Sequence, residues 1–469
     1  MKTPLYRVLL AILLISLLVG ASAHFQLPVM GYAAAYWALF FFFPHRPGQE
    51  SDLMAPAVPL ALMTFLYSVI PVLFWLDAGA TYLGEPVGTR AVTIYCVANL
   101  AGLCGLLAGV RLCPPAPRAA AAPAGPAEAG AVAVRNRIQL RLMTAMAVVS
   151  GLACIRFVWE KLDFVHVKTY LDSSGAGRIE KLAEGAAQPL QEVIFQLIPM
   201  ILITSVAVWA IFNAARIYRL AAAAVFGVSV LTAFLGGNRS DLVRYGIALL
   251  TYYHYRIRKI RAVTFILLAA GGIVLVNLVS FLRVTTDVRA MVEVVRESQA
   301  DNAKTFSLKN STEFNVGSTL MTLIQSMEDG RLSFNGGAYV VDEMASYLPR
   351  AIRPSRPLSM SERYAEFVMP GVLEQGGGLG FYFLGEGYWA FGLPGVFLFS
   401  LVFGWLVQRL YVLFKRNLRF EISALAYGWV MYPLIFSSIR SGMVASFKVS
   451  LMAAAPFLLL LLLSRRPAA

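Results

Sequence analysis

Apolar runs of about 20 residues recur along almost the whole chain, and they limit its fold more than any other feature of the sequence. A run of that length crosses the hydrocarbon core of a bilayer as an α-helix. A membrane β-barrel would instead show alternating segments of about ten residues. Only 14% of the 469 residues are charged and 58% are hydrophobic, whereas soluble domains are about a quarter charged. We therefore predict an all-α, polytopic integral membrane protein.

The runs predict about twelve transmembrane helices. The predicted spans are 5–23, 28–43, 56–76, 90–112, 142–159, 191–213, 220–236, 242–255, 262–282, 390–412, 420–438 and 443–463. The first run has a basic start and an Ala-x-Ala end, so it also fits a cleavable signal peptide. We favour an uncleaved helix, because the rest of the chain is predicted to lie in the membrane.

Basic residues occur on alternate connections between the spans, and the positive-inside rule assigns those connections to the cytoplasm. The basic segments are at residue 2, 45–46, 111–141, 216–219, 256–261, 415–419 and 465–466. Both termini are then cytoplasmic. The net charge of +14 is explained by this pattern, so nucleic acid is not an expected partner.

The spans and loops divide the chain into five predicted parts. These are an N-terminal four-helix membrane segment (1–112), a flexible cytoplasmic linker rich in proline, alanine and glycine (113–141), membrane core helices (142–282), one large periplasmic loop (283–380) and C-terminal membrane helices (381–469). Loops as long as the fourth part are usually functional. The large loop is predicted to have helical parts, because its apolar residues share one helical face. These residues are Phe314, Leu320, Leu323, Ile324 and Met327.

Cysteine and histidine form no metal-binding pattern. The four cysteines lie in or beside apolar runs, and the four histidines are scattered along the chain. The sequence also lacks a P-loop and a DxD motif in a soluble domain. We expect no metal and no cofactor.

An unusual polar turn, G-G-N-R-S-D (236–241), interrupts two short apolar helices at the outer membrane boundary. Arg239 is costly there unless it is paired or lines a watery cavity. The two glycines allow close approach of another group, and Ser240 and Asp241 are suitable caps for the next helix. Glycines, an arginine and a helix N-terminus together favour anion binding. The alternative is an arginine that snorkels from an ordinary turn.

The same pattern recurs in S-S-I-R-S-G-M-V (437–444), which joins two apolar helices at the outer face. Arg440 follows small residues there, and Lys448 lies about two turns further along the next helix. A cation at either place is costly unless a partner, such as an anionic ligand, stabilises it. For Lys448, snorkelling to the outer interface explains the sequence equally well.

A third basic cluster ends the large loop in Y-L-P-R-A-I-R-P-S-R-P-L-S-M-S-E-R (347–363). Its arginines follow a backbone stiffened by proline, and they are Arg350, Arg353, Arg356 and Arg363. Arginine forks match phosphate oxygens in a bidentate way. The alternative is a solvated basic loop that touches lipid headgroups.

A single carboxylate follows, because the glycine run 376–380 leads to Glu386 within an aromatic stretch at the start of a membrane helix. Such a residue is a candidate general base. The alternative is a structural salt bridge to one of the arginines. Together, the arginines and Glu386 predict a site at the outer boundary for an anionic lipid headgroup, such as an energy-rich lipid diphosphate.

These motifs resemble those of the Wzy-type oligosaccharide repeat-unit polymerases, which include the O-antigen and enterobacterial common antigen polymerases. The resemblance covers mainly 225–450. It rests on the G-G-x-R turn, the Pro/Arg-rich stretch at Pro349, Pro354, Arg356 and Pro357, the G-G-G-L-G … G-E-x-Y … F-G run, and the late arginine in S-S-I-R-S-G-M.

The resemblance implies a metal-independent glycosyltransferase of the multi-span lipid-sugar type in the bacterial inner membrane, with its active site facing the periplasm. It would join undecaprenyl-diphosphate-linked repeat units into a polysaccharide, and its partners would include a flippase and a chain-length regulator. By this resemblance Arg239 and Arg440 hold the diphosphate, with Arg353 and Arg356 assisting, and Glu386 accepts the proton. Asp342 and Glu343 are alternative bases.

Two other functions stay open. An O-antigen ligase would share the architecture, but a histidine is expected in its large loop, and 283–380 contains none. His166, in the smaller outer loop, keeps the possibility open. A lipid-sugar flippase or other transporter would show repeats and polar groups near the membrane centre, whereas the polar groups here cluster at one face.

Overall fold

A computed structural model shows the protein as a bundle of long helices with shorter helices at one end. It describes residues 52, 54–81, 84–114, 126–161, 197–235, 239–261, 314–345, 357–371 and 379–464, together with short helical pieces between 263 and 272. Within these ranges the secondary structure is helical, with no β-strand. This part of the fold prediction is confirmed.

Six described helices precede the large loop. They are α1 (Ala57–Ala78), α2 (Thr89–Leu112), α3 (Pro126–Lys161), α4 (Ile198–Asn213), α5 (Arg216–Leu235) and α6 (Arg239–Tyr252). A π-helical turn, Tyr253–Ile257, continues α6.

The large loop and the C-terminal part contain the remaining described helices. In the loop they are α7 (Ser318–Glu328, after a 3-10 turn Phe314–Gly317), α8 (Ala338–Ala345) and α9 (Met360–Val368). After the loop they are α10 (Phe383–Arg416), α11 (Glu421–Tyr432, then a π turn Pro433–Ser437), α12 (Ser438–Ser441) and α13 (Met443–Leu463).

Five described helices are long and apolar enough to cross a membrane. They are Ala57–Leu76, Thr89–Leu112, Leu384–Arg416, Glu421–Ser441 and Met443–Leu463, and the shorter α4 is also apolar. These helices identify a polytopic membrane protein. The predicted spans 5–23 and 28–43, and most of 262–282, lie outside the described residues.

One predicted boundary is wrong, because α3 begins at Pro126, within the segment assigned to a flexible linker (113–141). Proline suits the first helical position, and the alanines, arginines and leucines that follow favour a helix. Contacts with the C-terminal helices also hold this part in place. Gln139 donates a hydrogen bond to Ser464 at 3.0 Å, and Asn136 accepts the N–H of Glu421 at 3.2 Å.

The predicted helix inside the large loop is confirmed as α7. Its apolar face is fully buried, with Leu320, Leu323 and Ile324 at 0% exposure. These side chains join the core formed by α1, α2 and α10, so this part of the loop packs against the membrane helices.

Glycines bring α2 and α10 into backbone contact. A Cβ atom at Gly109 would overlap the carbonyl oxygen of Leu401, and one at Gly404 would overlap that of Leu106. Small residues allow such close packing between membrane helices. This contact joins a helix of the N-terminal segment directly to the C-terminal helices.

The two ends of the bundle differ in the contacts that they contain. At the end that we call the basic end, Arg256 pairs with Glu421 and Lys415 pairs with Asp52. The opposite end, which we call the loop end, contains the first residues of α10 and α13. There the N–H of Asn335, from the loop, donates to the carbonyl of Trp389 at 3.1 Å.

Candidate active site at the loop end

The last helix begins at a glycine turn that holds a buried carboxylate. Gly442 precedes α13 with φ +88°, a conformation that L residues rarely adopt. Glycine offers no side chain to cap the helix, so the first N–H groups need another acceptor. Glu386 supplies it, since Oε2 accepts the N–H of Met443 at 2.9 Å and Oε1 accepts that of Val444 at 3.4 Å.

The surroundings of Glu386 are tightly closed. Glu386 is only 1% exposed. A Cβ atom at position 442 would overlap the Oε1 atom of Glu386. The positive end of the α13 dipole favours a negative charge at this place. Among the described residues, the donors to this carboxylate are the two backbone N–H groups, rather than the arginine that a salt bridge would require.

The segment after the glycine run is joined to the turn that carries Arg440. The N–H of Phe381 donates to the carbonyl of Arg440 at 2.7 Å, and Phe381 and Ser441 form an isolated parallel bridge. Gly380 lies against Val316, which leaves no room for a larger residue. The two sequence motifs that contain Glu386 and Arg440 therefore meet at one place.

A kink in α10 separates the part that carries Glu386 from the long membrane helix. Phe391 and Gly392 leave helical geometry, and Gly392 has φ +67°. Across the kink, Gly387 and Gly395 are so close that a Cβ on either would overlap the other's carbonyl. The short helical segment 383–390 is thereby fixed against the start of the spanning helix, and this fixes the position of Glu386.

Helix α8 of the large loop packs on this short segment. The ring of Tyr339 meets that of Trp389 edge to face, with centroids 4.9 Å apart, and Trp389 also contacts the Phe381 ring at 6.1 Å. The loop thus closes over the residues next to Glu386.

A second buried carboxylate lies near the first. Glu343 of α8 is 3% exposed and accepts the N–H of Met360, the first residue of α9, at 2.8 Å. Helix α8, which carries Glu343, packs on the short segment that carries Glu386, so two buried carboxylates belong to this part of the loop end. The described residues contain no group of three His, Cys, Asp or Glu side chains placed to bind a metal ion.

Asp342, the neighbouring acidic residue, has a different environment. Its Oδ2 accepts a hydrogen bond from Arg363 at 2.7 Å. The Arg363 guanidinium also stacks over the Tyr339 ring, 4.3 Å from its centroid. This arginine of the Pro/Arg-rich stretch therefore joins α9 to α8.

The predicted binding residues are described to different extents. Arg440 lies in the turn next to Glu386, and Lys448 is in the second turn of α13. Arg239 is the first residue of α6, although its side chain is not described. Arg353 and Arg356 lie outside the described residues.

The start of α6 lies towards the loop end, as a contact one turn further along shows. The Arg244 guanidinium is 5.2 Å from the Tyr432 ring centroid at the end of α11, while it pairs with Asp241 at 2.8 Å. The helix begins at Arg239, so Ser240 and Asp241 lie within its first turn rather than at the cap position. Arg239 and Arg440 thus belong to the same end of the bundle.

The sequence analysis assigned no role to Gly442. A glycine between Arg-Ser and a new apolar run is a signal for a chain turn at a helix boundary. That signal does not show which side chain fills the turn, because Glu386 comes from a different helix.

Comparison with known protein families identifies a match over most of the chain. The model of the family described as O-antigen polysaccharide polymerase Wzy matches residues 132–467. No curated protein and no solved structure matches the chain. The matched region includes Arg239, the described helices of the large loop, Glu386 and Arg440.

Proposed function

The chain belongs to the O-antigen polysaccharide polymerase Wzy family, and on this premise we propose that it joins lipid-linked repeat units at the loop end of the bundle. The family implies a membrane glycosyltransferase that polymerises O-antigen repeat units. Beyond this, our proposal is that the donor is an undecaprenyl-diphosphate-linked chain and that transfer takes place at the periplasmic face of the inner membrane.

The observation that carries the proposal is the meeting of Glu386 with the turn of Arg440. A buried carboxylate without a described arginine partner lies beside a cationic residue at the start of a helix. Such a site can combine proton acceptance with stabilisation of an anion.

In the proposed reaction, an acceptor sugar hydroxyl attacks the anomeric carbon of the donor chain. The bond between that carbon and the diphosphate oxygen breaks, and a glycosidic bond forms. Glu386 takes the hydroxyl proton, with Glu343 and Asp342 as alternative bases. Arg239 and Arg440 stabilise the charge on the leaving diphosphate, and Arg353, Arg356 and Lys448 assist in binding it.

We further propose about twelve spans, with the basic end in the cytoplasm and 283–380 as one large periplasmic loop. The parts 1–112, 142–282 and 381–469 would form the membrane body. The part of 113–141 before α3 would be a cytoplasmic linker. The reaction would need no metal or cofactor. A flippase would supply repeat units, and a chain-length regulator would limit the polymer.

Reconstitution tests the proposal. The purified protein in lipid vesicles, given undecaprenyl-diphosphate-linked repeat unit without nucleotide sugar or metal, should produce a ladder on a gel. Arg239→Ala and Arg440→Ala should each abolish the ladder while leaving membrane insertion intact. Arg219→Ala, at the basic end, serves as the matched control and should preserve the ladder.

Two results would contradict the proposal. Labelled repeat unit that crosses the vesicle membrane without forming a polymer would favour a transporter. Transfer of finished glycan onto a lipid A core acceptor would favour a ligase, whose candidate histidine, His166, lies outside the described residues.

A further inference from the structure

A groove at the opposite, basic end of the bundle has the features of a lipid-binding site. It has a volume of about 990 Å³, near the upper limit of ordinary ligand pockets, about 300–1,000 Å³. Helix α3 forms one wall, while the end of α4 and the start of α11 form the other.

The lining of the groove changes from basic to apolar along α3. Arg137 and Arg141 are exposed and lie one turn apart on the same face. About two turns further into the bundle, the lining becomes Val148 and Val149, which are 56% and 68% exposed. A phospholipid needs surfaces in this order, with a basic surface for its headgroup and a deeper apolar surface for its acyl chain.

The groove keeps a net positive charge. Its acidic lining residue, Glu421, is already paired with Arg256 and accepts a hydrogen bond from Tyr252 at 2.7 Å. Arg137 and Arg141 repel each other, because like charges four residues apart on a helix are destabilising. An anion between the two guanidinium groups would remove that cost and would be held in a bidentate way.

The facing wall supplies an interfacial aromatic residue. Trp209 and Asn213 line the groove one turn apart on α4. Tryptophan is enriched at the level of lipid headgroups. Basic pockets between membrane helices are typical binding places for anionic headgroups.

We propose that this groove binds one anionic phospholipid, with its phosphate on Arg137 and Arg141 and an acyl chain along Val148 and Val149. The lipid comes from the leaflet at the basic end, which is the cytoplasmic leaflet in the orientation proposed above. The binding itself does not depend on the polymerase activity, since the groove and the candidate active site lie at opposite ends of the bundle.

Binding of phosphatidylglycerol to the full-length protein tests this inference. Native mass spectrometry in detergent would measure its affinity against phosphatidylcholine with the same acyl chains. The double variant Arg137→Gln/Arg141→Gln should bind phosphatidylglycerol about 25-fold more weakly, at about a factor of five for each arginine. The double variant Arg216→Gln/Arg219→Gln, at the exposed start of α5, is the matched control and should keep the wild-type affinity.

A second variant tests the apolar wall separately. Ala145→Trp fills the groove without changing its charge, and it should weaken phosphatidylglycerol binding by about ten-fold or more, because the indole ring occupies apolar surface that the acyl chain would cover. Wild-type protein should bind glycerol phosphate, which lacks acyl chains, far more weakly than phosphatidylglycerol.

Three outcomes would overturn the proposal. Equal binding of phosphatidylcholine would show that the arginines do not select an anion. Equal binding of glycerol phosphate would show an ion site without a lipid wall. Displacement of phosphatidylglycerol by an equimolar amount of undecaprenyl phosphate would assign the groove to the substrate lipid.

Discussion

Two carboxylates lie at opposite ends of α10 and have opposite surroundings. At the basic end, Asp52 accepts hydrogen bonds from His254, Tyr255, Tyr411 and Lys415, at 2.5–3.3 Å. At the loop end, the described donors to Glu386 are two backbone N–H groups. The helix from Gly395, which packs against Gly387, to Lys415, which pairs with Asp52, separates the two sites by about 30 Å.

The hydrogen-bond and charged partners of Asp52 determine its protonation state. Burial alone raises the pKa of Asp52, but the hydrogen bonds from His254 and Tyr411 and the charge of Lys415 outweigh it, so the pKa is well below its ordinary value. His254 Nδ1 accepts the N–H of Ile260 at 3.1 Å, which leaves Nε2–H to donate to Asp52. Asp52 therefore stays ionised and joins chain segments at the basic end.

The comparison separates a carboxylate with charged and side-chain donors from one whose described donors are backbone N–H groups. A carboxylate saturated with donors and paired with a lysine has little tendency to take a proton. The described hydrogen-bond partners of Glu386 are backbone N–H groups and include no such cation. We therefore expect substitutions at Glu386 to change the reaction and substitutions at Asp52 to change stability.

The largest expected effect is that of Glu386→Gln on turnover. Glutamine keeps an oxygen that can accept the N–H of Met443, so the cap of α13 survives while the base is lost. Polymerisation measured with reconstituted protein should fall by about 10²–10⁴-fold. The thermal unfolding midpoint should stay close to that of the wild type.

A normal rate in Glu386→Gln would show that this carboxylate only caps the helix. Glu343→Gln is the matched variant, because its glutamine can likewise accept the N–H of Met360. Loss of activity in Glu343→Gln alone would move the role of base to Glu343.

Asp52→Asn should affect stability rather than chemistry. Removal of one partner from a mostly buried ion pair costs about 3–5 kcal/mol, and Asp52 and Lys415 are 11% and 14% exposed. Denaturant or thermal unfolding in detergent would measure the loss. Asp329→Asn breaks an exposed pair with Arg331 and should change stability by at most about 1 kcal/mol.

The pH dependence of the Asp52 contribution has a definite sign. Because the pKa of Asp52 is lowered on folding, its stabilisation is present above the ordinary value of 3.8 and is lost as the pH falls below it. Below that value the difference between wild type and Asp52→Asn should narrow, at about 1.4 kcal/mol per pH unit at most. A difference that grows on acidification would contradict the assignment.

Gly442→Ala should disturb Glu386 through the turn. The added Cβ meets Oε1 of Glu386, and the positive φ adds strain of about 1–3 kcal/mol. We expect polymerisation to fall by about 10- to 100-fold. Gly330→Ala has the same kind of strain at φ +72° but open space around its Cβ, so it should keep nearly full activity. Equal losses in both variants would make strain, rather than displacement of Glu386, the cause.

Tyr411→Phe should have the smallest effect. It removes one donor to Asp52 and leaves Lys415 in place, so a loss of about 1.5 kcal/mol in unfolding free energy is expected. Tyr253→Phe, in the π turn after α6, is the control and should cost less than about 0.5 kcal/mol. If the Tyr411→Phe protein is as stable as the wild type, the remaining hydrogen-bond donors to Asp52 are sufficient without the Tyr411 hydroxyl.

Most of the described helices were predictable because the local composition of the chain determines where a membrane span forms. The runs 56–76, 90–112 and 443–463 agree closely with α1, α2 and α13. The start of α3 was not predictable from hydropathy, since 126–141 is too polar and low in complexity. Contacts with α11 and the residue after α13 hold this part of the helix in place.

The candidate site was predictable only in its parts. Glu386 and Arg440 stand out because each is a charged residue beside an apolar run, where a charge is costly. Their proximity was not predictable, because it depends on a hydrogen bond between Phe381 and Arg440 and on the kink at Gly392. The nearness of Glu343 likewise depends on how α8 packs on α10.

The sequence by itself determined that the protein is a helical membrane protein of the Wzy family, since apolar run length and motif order are properties of the linear chain. The tertiary structure alone decided which charged groups share a site. The donors that surround a buried carboxylate determine how readily it takes a proton. At Asp52 and Glu386 those donors come from residues far away in the chain, which only packing brings together.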